Sequence, residues 1–258
     1  MSRLLFEAKT VQSLVFKTLT ESIKDVITDG NFVISADGIS LKAMDTSCTV
    51  LVSMKLDAAQ FEEYHCERKL IIGLSMSGLH RMVRTVTNQD TLTLFIEADN
   101  PNVIGIKVDN AERRTVTTYW LNLMDLNEEE INVPPAVFDS VIVMNSADFQ
   151  KHCRDLHAIG DVLEIRSVGD QLVLATKGDI GKQETVIEAS ANGMTLENTD
   201  GDMIVQGLFS LKYLTLFCKC TALSPQCKIC IRNDFPLITV YQIANLGEIR
   251  LMLAPHEG

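Results

Sequence analysis

The stretch Leu121–Pro135, LNLMDLNEEEINVPP, lies near the middle of a chain of 258 residues. It begins apolar, passes through Glu128 to Glu130, and closes on Ile131, Val133 and the pair Pro134-Pro135. Two consecutive prolines lack backbone donors and hold φ fixed, so the end of the segment should be stiff and extended. Charge beside Pro-Pro is the composition of a domain connector. Leu123, Met124, Leu126, Ile131 and Val133 are nevertheless more apolar than an idle linker needs. Either they tuck into a neighbouring core, or they offer an apolar docking strip to partners. A connector at this place requires a domain on each side of it.

The two flanks share one order of elements. Before the stretch, Phe6 to Ala8 reads as a strand. Val15, Phe16, Leu19, Ile23, Val26 and Ile27 recur at helical spacing, and Asp29-Gly30 stops the helix. Strand-like runs follow at Phe32 to Ser35, Ile39 to Ala43, Cys48 to Leu56 and Leu70 to Leu74. Ser77 is placed to cap a second helix with Leu79, Met82, Val83 and Val86. Three more runs span Thr91 to Glu97, Val103 to Val108 and Thr115 to Leu121.

After the stretch, Val137 to Met144 reads as a strand, and Ser146 caps a helix with Phe149, Cys153 and Leu156 on one face. Alternating runs occupy 163–167, 172–176, 185–190, 195–198 and 203–208. Ser210 caps a fourth helix carrying Tyr213, Leu214, Leu216 and Phe217, and three strands end the chain. Gly73-Leu74 before the second helix matches Gly207-Leu208 before the fourth. Short loops and consecutive strands indicate antiparallel sheets with helices on one side, an α+β architecture of two similar domains. The boundaries fall at residues 1–120 and 136–258, with the connector at 121–135.

An apolar fraction of 46% fits a globular chain, and no apolar run approaches the roughly 18 residues of a membrane span. The N-terminus, MSRLLFEAKTVQ, meets charge too early for a signal-peptide core. Seven scattered cysteines suggest reduced thiols and an intracellular protein. A net charge of −11 by itself argues against nucleic acid, but a local basic surface outweighs the sum.

Such a surface is found by rotating each helix at 100° per residue. Lys17 and Lys24 fall about 20° apart, opposite the apolar stripe of the first helix. Arg81 and Arg84 oppose that of the second. Lys151 and Arg154 take the same positions in the third, and Lys212 and Lys219 are about 20° apart on the fourth. Surface helices ordinarily carry Lys and Arg, and Glu21, Asp25, Asp148 and Asp155 share these helices. Four helices each with two outward cations in an acidic chain still form a pattern. If they line one surface, eight of the 23 Lys and Arg residues meet there. That suits contact with a phosphate backbone and supplies no pattern for reading bases.

Catalytic signals are sparse. Cys218, Cys220, Cys227 and Cys230 have the look of a zinc site. However, Cys218 and Cys220 lie about 200° apart on a continuing helix, and Cys227 and Cys230 point to opposite faces of a strand. Buried thiols are the reading, with metal as the alternative. None of His65, His80, His152, His157 and His256 forms a metal-spaced pair, and no phosphate-binding glycine loop is present. No cofactor is expected.

FEAKTVQ, ISLKAMDTS, YHCERKLIIGLSMSGLHRMV, LMDLNEEEINVP, CRDLHAIGD and YQIANLGEIRLMLAP, in that order, cover the chain from about Leu5 to Pro255. In these motifs the sequence resembles the proliferating cell nuclear antigen family of eukaryotic-type DNA sliding clamps, viral relatives included. The resemblance implies the DNA clamp fold, with antiparallel sheets outside and two helices per domain inside, and three chains closed into a ring. It further implies a non-enzymatic polymerase processivity factor acting in DNA replication and repair, in the nucleus or a viral replication compartment. Lys17, Lys24, Arg81, Arg84, Lys151, Arg154, Lys212 and Lys219 match the family's DNA-facing positions, for sequence-independent contact with double-stranded DNA.

The stretch of the opening matches the family's interdomain connecting loop. There DNA polymerase, the clamp loader and other proteins carrying short clamp-binding motifs insert an apolar plug. The matching pocket positions are Met44, Leu51, Leu126, Ile131, Val133, Pro236, Met252, Ala254 and Pro255. Edge strands around Tyr119 and Val116, and around Val186 and Ile187, match the subunit interface of a homotrimer. Departures are Cys48 where a His is usual, Met252 for a Tyr, Thr18 for a Lys beside Lys17, and Gly169 at a lysine position used for modification. A subunit of a heteromeric checkpoint clamp is the same-fold alternative. A zinc- or thiol-dependent enzyme using the four late cysteines is the alternative of another class.

Overall fold

The computed structural model describes residues 3–127, 131–133, 136–190, 193–198 and 203–256. Glu128 to Glu130 and Pro134-Pro135, for which an extended, stiff end was expected, lie outside the described residues. The chain divides into two compact units. The first comprises Met1–Ala43, Val52–Ile131 and Ile243–Ile249, and the second Met44–Leu51, Asn132–Gln242 and Arg250–Gly258.

The first half of the chain contains β1 (Leu4–Thr10), α1 (Ser13–Ile23), β2 (Asp29–Ser35), β3 (Gly38–Met44), β4 (Val50–Asp57), β5 (Glu63–Cys66), β6 (Leu70–Ser75), α2 (Met76–Val83), β7 (Asp90–Glu97), β8 (Val103–Asn110) and β9 (Thr115–Asn122). The second contains β10 (Ser140–Asn145), α3 (Ser146–His157), β11 (Val162–Val168), β12 (Gln171–Gly178), β13 (Gly181–Glu188), β14 (Thr195–Asn198), β15 (Val205–Ser210), α4 (Leu211–Phe217), β16 (Gln226–Ile231), β17 (Leu237–Ile243) and β18 (Gly247–Leu253).

The first unit holds a five-stranded sheet, β5-β1-β7-β8-β9, and the run β6-β2-β3-β4. Alternation explains the strands: along β1 Phe6, Ala8 and Thr10 are buried while Glu7 and Lys9 are not. Phe16, Leu19 and Ile23 of α1 and Met76 and Leu79 of α2 close on Phe6, Leu94 and Ile104 from one sheet and Phe32, Ile34 and Ile72 from the other. A void of about 30 Å³ remains among them. The second unit repeats the plan with β13-β12-β11-β15 and β14-β10-β16-β17. Phe149, Cys153 and Leu156 of α3 and Leu214 and Phe217 of α4 are buried with Leu163, Ile165, Leu172 and Leu174.

Several local expectations need correction. The first helix ends at Ile23, with Lys24 as its C-cap, and Ile27 is buried from the following turn. The cap of α2 is Ser75, not Ser77: its hydroxyl accepts from Gly78 N at 3.2 Å. The cap of α3 is Asn145, not Ser146, with Oδ1 accepting from Ala147 N at 2.9 Å. In both cases the last residue of the preceding strand supplies the cap, because extended backbone there aims a short polar side chain at the free N–H groups. Helix α4 stops at Phe217 and a 3-10 turn, Cys218–Ala222, takes over. Lys219 therefore lies on that turn, and the 20° spacing from Lys212 does not hold. The strand β5 was missed altogether. It has four residues, and its side chains are exposed or half-buried, so no apolar alternation marks it.

Candidate nucleic-acid and partner interface

In the first unit, α1 and α2 pack side by side, with Thr20 Oγ1 3.4 Å from His80 Nδ1. Arg81 and Arg84 are exposed, and Lys17 and Lys24 half-buried. Lys17 Nζ donates to Val86 O at 3.2 Å, and Lys24 Nζ reaches Asp25 Oδ1 at 3.0 Å. In the second unit, α3 meets the end of α4, where Gln150 Nε2 donates to Cys218 O at 3.0 Å. Lys151, Arg154, Lys212 and Lys219 are all exposed. Arg154 Nε lies 3.6 Å from Asp155 Oδ1. Exposed pairs of this kind contribute little to stability, so the cations can exchange a carboxylate for a phosphate at small cost. Burial pushes the His80 and His152 imidazoles below their ordinary range, which leaves both neutral at physiological pH.

The second unit carries an apolar pocket of about 360 Å³. Six of the residues singled out in the sequence line it: Met44, Leu51, Val133, Pro236, Met252 and Ala254. Cys48, Ala136, Phe235 and Ile238 complete the apolar wall. Leu126, Ile131 and Pro255 lie elsewhere. Leu126 covers Gly73, its Cγ 3.0 Å from where a Cβ there would stand, while Met124 N donates to Gly73 O at 2.8 Å. Ile131 belongs to the first unit, its carbonyl accepting from Lys42 Nζ at 3.2 Å. Pro255 lines a separate groove with Leu208, Phe235 and His256.

One wall of the pocket is the loop from Met44 to Leu51, and Asp45 organises it. Its Oδ1 accepts from Thr49 N at 2.8 Å and Val50 N at 2.7 Å, and Oδ2 from Ser47 N at 3.3 Å and from Ser47 Oγ. Burial alone would raise this carboxyl, but the bonds from the Ser47 hydroxyl and the three backbone N–H groups hold it below its ordinary value. The loop is also tied to α4. Tyr213 Oη lies 3.0 Å from Ser47 Oγ and 3.5 Å from Asp45 Oδ2, and Lys212 Nζ sits 5.6 Å from the centre of the Tyr213 ring. Within such a wall Cys48 adopts φ 55°, a left-handed conformation uncommon outside glycine.

Strand β9 ends the five-stranded sheet and β13 ends the four-stranded one. Val116 and Val186 are exposed, and Tyr119 and Ile187 half-buried.

Compared with known proteins, residues 5–131 match the family model of the proliferating cell nuclear antigen N-terminal domain. Residues 132–256 match that of its C-terminal domain. The chain belongs to the proliferating cell nuclear antigen family. A relative from Chaetomium thermophilum named proliferating cell nuclear antigen is 34% identical over 260 residues, covering 98% of this chain and 99% of that one. Membership carries the DNA clamp fold, two similar domains in a chain that forms a trimeric ring. It also carries the function of a DNA sliding clamp, a processivity factor of DNA replication and repair.

The family is one of non-enzymatic clamps, and five of the seven thiols lie in the core. Cys153, Cys218, Cys220, Cys227 and Cys230 are all buried. Burial pushes the Cys227 thiol up to about 12, and the hydrogen bond with Cys218, with burial, keeps Cys153 protonated. Cys227 and Cys230 do leave the strand on opposite faces, yet both sides are covered. Among the described residues, no group of three or more His, Cys, Asp or Glu is placed to hold a metal ion. Nor, among them, is any helix long and apolar enough to cross a membrane.

Sequence reasoning passed over two parts of the pocket. Phe138 and Phe235 form an edge-to-face pair, with ring centres 5.9 Å apart, beside the pocket wall. Pro236, next to Phe235 in sequence, drew attention instead. Asp45 was visible as Asp-Thr-Ser, a spacing that closes a side-chain-to-backbone turn, but nothing in one sequence says that this turn borders a pocket.

Proposed function

We propose that in this clamp Lys17, Lys24, Arg81 and Arg84 of one domain and Lys151, Arg154, Lys212 and Lys219 of the other meet the DNA backbone. Residues 1–120 and 136–258 serve as the domains and 121–135 as the connector. The observation that carries the reading is a packed helix pair in each unit with four cations on or just beyond its helices, exposed at Arg81, Arg84, Lys151, Arg154, Lys212 and Lys219 and half-buried at Lys17 and Lys24, in a chain of net charge −11. Long flexible cations on phosphates give weak attraction without sequence preference, which permits movement along the duplex. Closure of the ring, not affinity, then retains the clamp.

The apolar pocket receives the aromatic and aliphatic anchors of DNA polymerase, clamp loader and other partners. Val116 and Tyr119 on one edge and Val186 and Ile187 on the other join neighbouring subunits, and pairing two open edges also removes an aggregation hazard. The clamp performs no chemistry of its own and acts where nuclear or viral DNA is copied. The apolar pocket, lined by six of the nine matching positions, favours this over a checkpoint-clamp subunit.

The test is the triple reversal Lys24→Glu, Arg81→Glu and Lys219→Glu. It should abolish stimulation of the polymerase at physiological salt while the trimer persists in light scattering. Full stimulation by the triple variant would remove the basic helices from the mechanism.

A further inference from the structure

The buried residues of α3 are Ser146, Phe149, Cys153 and Leu156, and at one constant spacing each has a buried counterpart in α1: Ser13, Phe16, Thr20 and Ile23. The two helices therefore lie on their units in the same rotation, and their outer rows correspond position by position. In α3 the outer row is Ala147, Lys151, Arg154 and the C-cap Ala158, all exposed. In α1 it is Leu14, Thr18, Glu21 and, just past the C-cap, Asp25. Leu14, Glu21 and Asp25 are exposed, and Thr18 is half-buried, its hydroxyl donating to Leu14 O at 2.9 Å. The row that carries Lys151 and Arg154 on α3 thus carries two carboxylates and no cation on α1.

The lysines of α1 stand on its flank. Lys17 occupies the place of Gln150, and the two make the same kind of bond. Lys17 Nζ donates to Val86 O just past α2, and Gln150 Nε2 to Cys218 O just past α4. A neutral amide suffices for that tie in the second unit, so in the first the Lys17 ammonium is engaged in joining two helices. Lys24 takes the place of His157 and reaches both carboxylate oxygens of Asp25, at 3.0 and 3.1 Å. Glu21 lies one helical turn before this pair. A charge acts over roughly 8 Å at physiological ionic strength, so a phosphate that approaches Lys24 also meets Glu21 and Asp25. On α3 the acids Asp148 and Asp155 are half-buried and stand beside the outer row, not in it.

We propose that the two domains share the duplex unequally: Lys151 and Arg154 of α3 are principal phosphate contacts, while the α1 row of Leu14, Thr18, Glu21 and Asp25 holds the backbone off. This rests on the reading of the helix cations as the DNA surface, and adds their ranking. Lys212 and Lys219, exposed as well, strengthen the second domain. In the first, Arg81 and Arg84 of α2 work against the two carboxylates of α1. Each chain then offers one strong sector to the duplex in place of two equal ones, which keeps the attraction weak enough for sliding.

The test is the salt dependence of binding between the trimer and a labelled linear duplex, read by fluorescence anisotropy, with light scattering to verify the trimer. Each phosphate contact contributes about 0.9 to the steepness of log K against log salt. Lys151→Gln with Arg154→Gln should reduce the steepness by about two for each chain the duplex touches. Lys17→Gln with Lys24→Gln, the same change of charge, should reduce it less than half as much. Thr18→Lys with Glu21→Arg, which gives α1 the cations of α3, should steepen it and tighten binding roughly tenfold at low salt. Equal losses from the two glutamine pairs, or no gain from the Thr18 and Glu21 variant, would overturn the ranking alone. No loss from either glutamine pair would overturn the reading of the helices as the DNA surface, and the ranking with it.

Discussion

Replacing Asp45 by Ala isolates the contribution of one loop to partner docking. The carboxylate accepts from three backbone N–H groups and the Ser47 hydroxyl, with Tyr213 Oη at its margin. Hydrogen bonds to a charged acceptor contribute about 1.5–3 kcal/mol each. The loop is partly exposed, so water replaces much of what is lost, and a net local loss of about 2 kcal/mol is a fair figure. The loop supplies Met44, Cys48, Thr49 and Leu51 to the pocket. A partner must then re-order the wall as it binds, and 2 kcal/mol corresponds to about 30-fold in affinity.

Asp45→Asn, which keeps an acceptor but loses the charge, should cost about fivefold, near half of that free energy. The assay is fluorescence polarisation of a labelled clamp-binding peptide, with hydrogen exchange at Thr49 and Val50 run alongside. In the Ala variant these two amides should exchange faster and the trimer should persist. Faster exchange with peptide affinity within about twofold of the parent would show that the wall does not need its order, and the pocket reading would fall.

Three further outcomes follow from the same geometry. Val133→Ser should weaken peptide binding more than Ile131→Ser, because Val133 lines the pocket and Ile131 belongs to the first unit; equal effects would move the pocket. Asp90 is held below the ordinary carboxylate range: burial opposes this, but Thr87 N at 2.7 Å, Asn110 Nδ2 at 2.5 Å and the Thr87 hydroxyl prevail. A depressed carboxyl stabilises the fold above its unfolded pKa of about 3.9, and the gain is lost as pH falls through the folded value. The melting difference between the parent and Asp90→Asn should accordingly be full at neutral pH and shrink below about pH 4, and a pH-independent difference would contradict it. Among the seven thiols, Cys48 should be alkylated first in the native clamp and should be protected by bound peptide, the five buried ones reacting only after unfolding. Unprotected Cys48 in the complex would place the partner elsewhere.

The repeat of strand, helix, strands, helix, strands was legible because alternation and helical spacing are local signals, and burial follows them closely along β1 and α1. The helix ends were not, because Ser75 and Asn145 act from the ends of strands and α4 tightens into a 3-10 turn. The exposure of Arg81, Arg84, Lys151, Arg154 and Lys212 was readable from helical spacing, while Lys17 and Lys24 are half-buried and Lys219 lies on the 3-10 turn. The pocket was another matter. Its walls come from segments near residues 48, 133, 235 and 252, which only the fold brings together, and no period in the sequence links them. Its positions were accessible through family resemblance, and Phe235 and Asp45 escaped even that.

The sliding ring itself is tested most directly by loading the clamp onto closed circular duplex DNA and then cutting the circle once. The account predicts stable retention on the circle, through repeated washes at high salt, and rapid loss from the ends after cutting. Retention on the linear product, or salt-dependent loss from the intact circle, would mean that affinity and not encirclement holds the protein, and would contradict the account.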